Sequence, residues 1–458
     1  KLLIGLLVTQ QPLSSNTYTV ETTGDASFQW YVWNGEEWEA VEGATDSKLS
    51  GAILGKTYKC EATVGIHTVE SISVKYTEAG IQTHPECGSI CSHDGTHNNE
   101  IWYPISSLDE LKEAGKVGGN YYLTEDLTID KGISIIADLK LCLNGKILSA
   151  ESNDNTYSML KVSEGVTLMV TDCDSTEKTG YIEDGKWIEG SKDGAPTVIL
   201  YGGMILGGHG QKGGAIYNSG TLYLYNVNLV NNSATEYGGA IYTSGAVYME
   251  NTAFVGNSAL KHGGAIYLVG TTVTANGSNR YLYNTSDNHG GAIYVTYTGE
   301  QDGSLERKGG LFEGNKAYAG GAISARTGSI VTLEGTEMKG NVATAPSNSG
   351  YGGGAIYINN GSLTLKGVTL DGNSSAYYGG AVFALETAVV ISADESGNAS
   401  VIKNSTGGTG AALYFATCER VTLTDVEITG NTSTASGVIY TNFTQRNVMD
   451  QIGVMHDK

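Results

Sequence analysis

Gly213-Gly214-Ala215-Ile216-Tyr217 returns intact at residues 238–242, 263–267, 290–294 and 353–357, and in altered form elsewhere down to Tyr440. Its first glycine, or the residue replacing it, falls at Gly213, Gly238, Gly263, Gly290, Gly320, Gly353, Gly379, Gly410 and Ser436, a period of 25 to 33 residues. Such a period marks stacked units, each of which buries its apolar face only against its neighbours. A second marker precedes the glycines, an apolar residue three before an Asn. It occurs as Leu229/Asn232, Phe254/Asn257, Tyr281/Asn284, Phe312/Asn315, Met338/Asn341, Leu370/Asn373, Val401/Asn404 and Ile428/Asn431. The Asn stands five or six residues before the glycine position in every unit except one, where it stands twelve before. A nearly constant offset between variable segments marks a rigid corner.

Asn tolerates the left-handed backbone that a sharp turn requires, and stacked Asn side chains can bond to their own kind one layer on. Gly-Gly then supplies a second corner without a Cβ, where neighbouring backbones approach closely. Between the corners lie short alternating runs such as Thr221-Leu222-Tyr223-Leu224-Tyr225, with Leu inward and Tyr outward. Two or three short strands per coil without helices predict a right-handed parallel β-helix, a rod of roughly 55 Å at the usual strand spacing. A leucine-rich repeat would need a Leu-x-x-Leu-x-Leu consensus, which is missing, and a propeller about 40 residues per blade.

Composition agrees with an elongated, exported body. Gly accounts for 64 of 458 residues but Pro for only 5, which excludes collagen and a Pro-rich linker. A formal charge of −21 argues against recognition of nucleic acid or anionic lipid through a basic patch. Six cysteines are too few for a disulfide scaffold. No stretch is long enough to insert in a membrane as a helix. Leu2 to Val8 reads as the tail of a signal peptide or a first strand, and the chain as mature or truncated.

The chain divides into residues 1–77, a joint at 78–100, a cap at 101–131, the β-helix at 132–440 and a tail or partial cap at 441–458. The first segment alternates in short runs around Phe28-Gln29-Trp30-Tyr31-Val32, Asn34-Gly35 and Tyr58-Lys59-Cys60-Glu61-Ala62. It resembles a bacterial immunoglobulin-like β-sandwich, with a Trp on a central strand and a Tyr two residues before a Cys. Cys60 lacks the earlier partner Cys of that fold. The resemblance implies a spacer or a weak binder. The joint holds His84, Cys87, Cys91, His93 and His97, which could close a tetrahedral structural zinc site, or instead contain a local Cys87–Cys91 disulfide or two free thiols in a linker. No other cofactor is required. Ser107-Leu108-Asp109-Glu110 is a capping box that opens a short helix, stopped at Gly115, before a first strand at Tyr121. Runs at 133–136, 139–143, 167–171 and 197–200 read as early, irregular coils, and Cys142 and Cys173 as two thiols rather than a disulfide.

Gly-Gly-Ala-Ile with Phe-x-x-Asn resembles the repeat pair of the polymorphic outer-membrane protein family. The phrases Gly119-Asn120-Tyr121-Tyr122-Leu123, Leu141-Cys142-Leu143-Asn144-Gly145 and Thr171-Asp172-Cys173 resemble surface-exposed β-helix proteins of Gram-positive gut bacteria. These resemblances cover about residues 100–440. They imply a pectin-lyase-like fold, an extracellular or cell-surface location, and adhesion through a glycan or a host or bacterial surface protein. The alternatives are a glycoside hydrolase or polysaccharide lyase, and a purely structural stalk. Carboxylates are sparse in the repeats, which weighs against an enzyme, although inserts such as 297–310 can carry a site.

Two outward columns are the candidate sites. The residue before the glycines runs Lys212, Tyr237, His262, His289, Ala319, Gly352, Tyr378, Thr409; His262 and His289, flanked by Glu236, Lys261 and Asp287, are candidates for acid–base or metal chemistry. A polar corner exposed to solvent is the plainer reading of the same residues. The second column, Tyr217, Tyr242, Tyr267, Tyr294 and Tyr357, would form an aromatic strip for ligand contact, or would merely shield the backbone and stack on itself.

Overall fold

A computed structural model describes residues 7–10, 17–21, 26–35, 37–50, 52, 56–64, 67–71, 74–75, 102–151, 157–346 and 349–442. From Tyr103 onward it is a right-handed parallel β-helix. One coil shows the rule: Thr221–Tyr225, Asn228–Val230, Ser233–Tyr237 and Ile241–Thr243 are four strands on four faces, before Val247–Glu250 returns to the first. Stacked in register, the strands form parallel sheets of 12, 11, 9 and 11 strands, here called faces I to IV in chain order. The coil thus has four sides, not two or three, wherever Gly-Gly is present. The early coils have three, because face III begins only at His209–Lys212.

The core is built of columns. On face IV, Ile216, Ile241, Ile266, Ile293, Ile323, Ile356, Val382 and Leu413 pair in register and are buried completely. Each such side chain contributes about 1.5–3 kcal/mol by leaving water. The two glycines at the corner do different jobs. Gly238 has φ 64°, and a Cβ on Gly239 would sit 2.1 Å from the carbonyl oxygen of Gly264 in the next coil. Left-handed backbone is needed at the first position and bare backbone at the second. In the last coil Gly437, not Ser436, takes the left-handed place, while Ser436 pairs with Thr409 one residue earlier.

The Asn marker needs a similar correction. Asn232, Asn257, Asn284, Asn315, Asn341 and Asn373 are buried, and the left-handed residue is the one before each: Asn231, Gly256, Tyr283, Gly314, Gly340 and Gly372. That frees the Asn side chain to point inward and ladder. Asn284 Oδ1 accepts from the backbone N–H of Asn257 at 3.0 Å and from its Nδ2 at 2.9 Å. Its own Nδ2 donates to Asn315 Oδ1 at 3.0 Å and to the Phe254 carbonyl at 2.9 Å. Asn404 stands one register off, in the left-handed position, and Ser405 occupies its place in the ladder.

The N-terminal end is capped. Tyr103–Ile105, preceding the helix, is the first strand of face I, and pairs with Tyr121–Leu123. The helix Leu108–Val117 starts with the expected box, Ser107 and Glu110 each accepting from the other's backbone N–H. It runs through Gly115 and stops at Gly118. A Cβ on Gly115 would lie 3.0 Å from the Ser134 carbonyl, so the glycine lets the helix settle on the first coil instead of ending it. Leu111 and Ala114 are fully buried there.

Residues 197–201 do not belong to a coil. Glu177–Glu183, Lys186–Glu189 and Thr197–Tyr201 form a three-stranded antiparallel insert between faces I and II. Its Ile182, Trp187, Val198 and Leu200 cover Met204, Val230, Val255 and Leu282, apolar residues on face II. Residues 297–310, by contrast, are a widened corner at 297–303 and then the face I strand Ser304–Lys308. Cys142 and Cys173 are thiols, with sulfurs 3.5 Å apart; Cys142 faces Thr171 in the register, and Cys173 lies past the strand end.

Nearer the N-terminus, Leu7–Gln10, Thr17–Glu21 and Lys48–Ser50 form one antiparallel sheet. A second contains Ser27–Trp33, Trp38–Ala40, Thr57–Val64, His67–Glu70 and Val74–Lys75. Trp30 and Cys60 are register neighbours in that sheet, both buried, with Tyr58 buried on the same strand. The predicted ligands His84, Cys87, Cys91 and His93 lie outside the described residues, as does most of 441–458.

Candidate functional site

The corner between faces III and IV brings the two outward columns together. Face III carries Tyr237, His262 and His289 in adjacent coils, paired as isolated parallel bridges. Face IV carries Tyr217, Tyr242, Tyr267, Tyr294, Ser324 and Tyr357 in register. Because Gly-Gly turns the chain tightly, side chains that leave both faces converge. His262 lies 5.2 Å from His289 and 4.5 Å from Tyr294 between ring centroids. Tyr237 lies 4.6 Å from Tyr267. Along face IV the rings stack at 5.0, 5.4 and 5.1 Å from Tyr217 to Tyr294.

The result is a seam rather than an open strip. Tyr217, Tyr242 and Tyr267 are half-buried, while Tyr294 and Tyr357 are buried, Tyr357 to 1% exposure: these two leave the coil interior but are covered by neighbouring rings. Their faces are occupied by neighbouring rings, including Tyr351 against Tyr357. Lys212 at 5.0 Å from the Tyr242 ring and Lys161 at 5.6 Å from the Tyr217 ring flank the open end.

The imidazoles are not poised as acid and base. Burial, with Arg326 and Lys261 adding positive charge, lowers His262 to about 4; burial, His262 and Arg326 lower His289 to about 3. Both rings are neutral at ordinary pH, and the Nδ1 atom of each is buried without a hydrogen-bond partner, as is Ser324 Oγ nearby. Glu236 is bound to Lys261 at 2.7 Å, which holds its carboxyl below the usual range. Asp287 is exposed. Among the described residues no carboxylate hydrogen-bonds either imidazole, and no group of three or more His, Cys, Asp and Glu could hold a metal ion.

A second site, which sequence reasoning missed, lies at the corner between faces I and II. A cleft of about 380 Å³ is lined by Asp174, Ser175, Tyr201, Asn226, Asn228, Asn251, Ala253, Ser278 and Arg280. One wall is the edge of the antiparallel insert. The floor crosses three coils, with Asn226 and Asn251 at φ 56° and 51° in the left-handed corner. Buried Asp172 anchors the insert: its carboxylate accepts from the N–H of Gly203 at 2.7 Å, Asp174 at 2.6 Å and Gly145 at 3.1 Å. Burial pushes its carboxyl up to about 6 against the pull of those donors. Arg280 Nη2 donates to the Ile199 carbonyl at 2.8 Å, and Asn228 Nδ2 to the Tyr201 carbonyl at 2.7 Å. The available signal was the break in period between Cys173 and Gly203, since insertions in repeat arrays gather on a functional face.

Four-faced coils, an Asn ladder and a Gly-Gly corner define a parallel β-helix repeat protein. The repeat itself resembles a known kind: residues 226–244 and 251–268 match the Chlamydia polymorphic membrane protein (Chlamydia_PMP) repeat. Comparison with curated proteins and with solved structures found no match. Among the described residues no helix is long and apolar enough to cross a membrane.

Proposed function

We propose that this chain is an extracellular, surface-exposed β-helix that makes adhesive contact with a glycan or with a protein of a host or bacterial surface, and that needs no catalysis to do so. The observation carrying this reading is the pair of consecutive polymorphic-membrane-protein repeats within the rod. The formal charge of −21 suits a soluble, exported surface. Tyr217, Tyr242 and Tyr267 enter the reading through their half-exposed edges.

A glycan array with turnover followed on the same glycans tests it. Binding without turnover is the expected result. Product release would replace this reading by a glycoside hydrolase or polysaccharide lyase. Silence would favour a stalk, a reading supported by the way the seam's rings spend their faces on each other. Tyr242→Ala and Tyr267→Ala abolish binding if the seam is the contact surface; unchanged affinity removes it from consideration.

A further inference from the structure

We propose that the cleft between the antiparallel insert and the face I/II corner is a binding site for a neutral saccharide. This rests on the surface-contact reading and gives it a location.

Three observations carry the assignment. First, Tyr201 is the one ring lining the cleft; it is 51% exposed, and among the described residues no other ring packs on it. It can therefore offer a face to a sugar ring, which the stacked seam tyrosines cannot. Second, the lining mixes donors and acceptors around that ring. Asn251 Oδ1 accepts from Ser278 N–H at 3.2 Å, and Asn226 Nδ2 donates to the Asp172 carbonyl at 3.5 Å. An amide N–H from Asn251 and an amide oxygen from Asn226 remain for a ligand, one coil apart, a spacing of about 4.8 Å. Ser175 and Ser278 also line the cleft. A sugar, which presents both donors and acceptors around an apolar ring face, matches this set.

Third, the walls are fixed before any ligand arrives. Arg280 to Ile199, Asn228 to Tyr201 and Lys178 Nζ to the Gly145 carbonyl at 3.3 Å pin the insert to the coils. Preorganised walls reduce the entropy lost on binding. The volume lies within the range of about 300–1,000 Å³ typical of ligand pockets. Charge argues for a neutral ligand. The lining carries one carboxylate, Asp174, and one guanidinium, Arg280, whose Nη2 donates to the Ile199 carbonyl, so the two formal charges of the cleft sum to zero.

The test is an immobilised panel of neutral hexose and N-acetylhexosamine oligosaccharides, followed by calorimetric titration of the hits with the intact chain and variants. Tyr201→Ala should weaken binding about tenfold or more, and Tyr201→Phe, which keeps the ring face, should stay within about twofold. Tyr248→Ala, an exposed ring on face I outside the cleft, should bind as the intact chain does. Thermal melting checks that each variant folds; Tyr201→Phe against the intact chain keeps the proposal testable if the Ala variant does not. Binding by the intact chain that is indifferent to both Tyr201 variants and to Asn251→Ala would overturn the cleft and leave the surface-contact reading standing. Loss confined to Tyr242→Ala would also overturn it, by moving the contact to the seam. No binding to any member of the panel would overturn the cleft, and no binding to any glycan or surface protein would overturn the wider reading.

Discussion

The rod contains two columns of like side chains at neighbouring corners, and they solve the same problem with unequal success. At the II/III corner, six Asn from Asn232 to Asn373 ladder inside the helix. Each amide carries a donor and an acceptor, so translation by one coil places every group against its complement. At the III/IV corner, rings stack outside it, and translation repeats the same face instead of a complement. Packing is good there, but His262 Nδ1, His289 Nδ1 and Ser324 Oγ stay buried without partners. A neutral imidazole and a hydroxyl also carry a donor and an acceptor, so what distinguishes the Asn column is direction: each amide N–H meets the next coil's amide oxygen along the stacking axis.

Acid should separate the two columns most sharply, because amides do not titrate and the imidazoles do. Both His values are depressed on folding below the ordinary 6.5, to about 4 and about 3. The stability associated with the neutral rings is complete above pH 6.5 and is lost as pH falls from there through the folded values. For His289, 8% exposed, the loss approaches about 1.4 kcal/mol per pH unit across that window. Urea unfolding between pH 7 and pH 4 measures it, and His262→Phe combined with His289→Phe should flatten the profile. A profile in the double variant as steep as in the parent would place the acid sensitivity elsewhere.

Breaking the ladder comes next in size. Asn284→Ala removes the acceptor of two Asn257 N–H groups and the donor to Asn315 and Phe254, all buried. We expect a loss of about 3 kcal/mol by urea denaturation at neutral pH, from several buried groups left unpaired at once. The smallest effect is a gain. Ser405 is buried at the ladder position one coil beyond Asn373, so Ser405→Asn should lengthen the column and raise the unfolding free energy by about 1 kcal/mol. A loss instead would show that the coil at residues 400–409 has no room for the amide.

Much of this architecture is legible in the chain. The period follows from Gly-Gly-Ala-Ile, because left-handed backbone and bare backbone are needed at two consecutive positions and few residues meet either demand. Which side chains enter the core follows from alternation, as at Leu222 and Leu224. The Asn ladder could be anticipated in kind, but its left-handed residue was displaced by one, since Asn231 and Asn232 satisfy the same local preference and only the direction of the ladder distinguishes them. The insert was harder to read: Thr197–Tyr201 alternates like any coil strand, and nothing local to it specifies antiparallel pairing with Glu177–Glu183.

The sequence by itself determined the repeat, the parallel stacking and the inward column, because these depend on local conformational demands repeated at a fixed interval. Only the tertiary structure decided what the outer columns became. Alternation sends Tyr242 and His262 away from the core, but whether a side chain that leaves one face meets water or a neighbour depends on the angle between faces. At the III/IV corner that angle closes the columns into a seam, and at the I/II corner a non-repeating insert raises a wall that carries Tyr201.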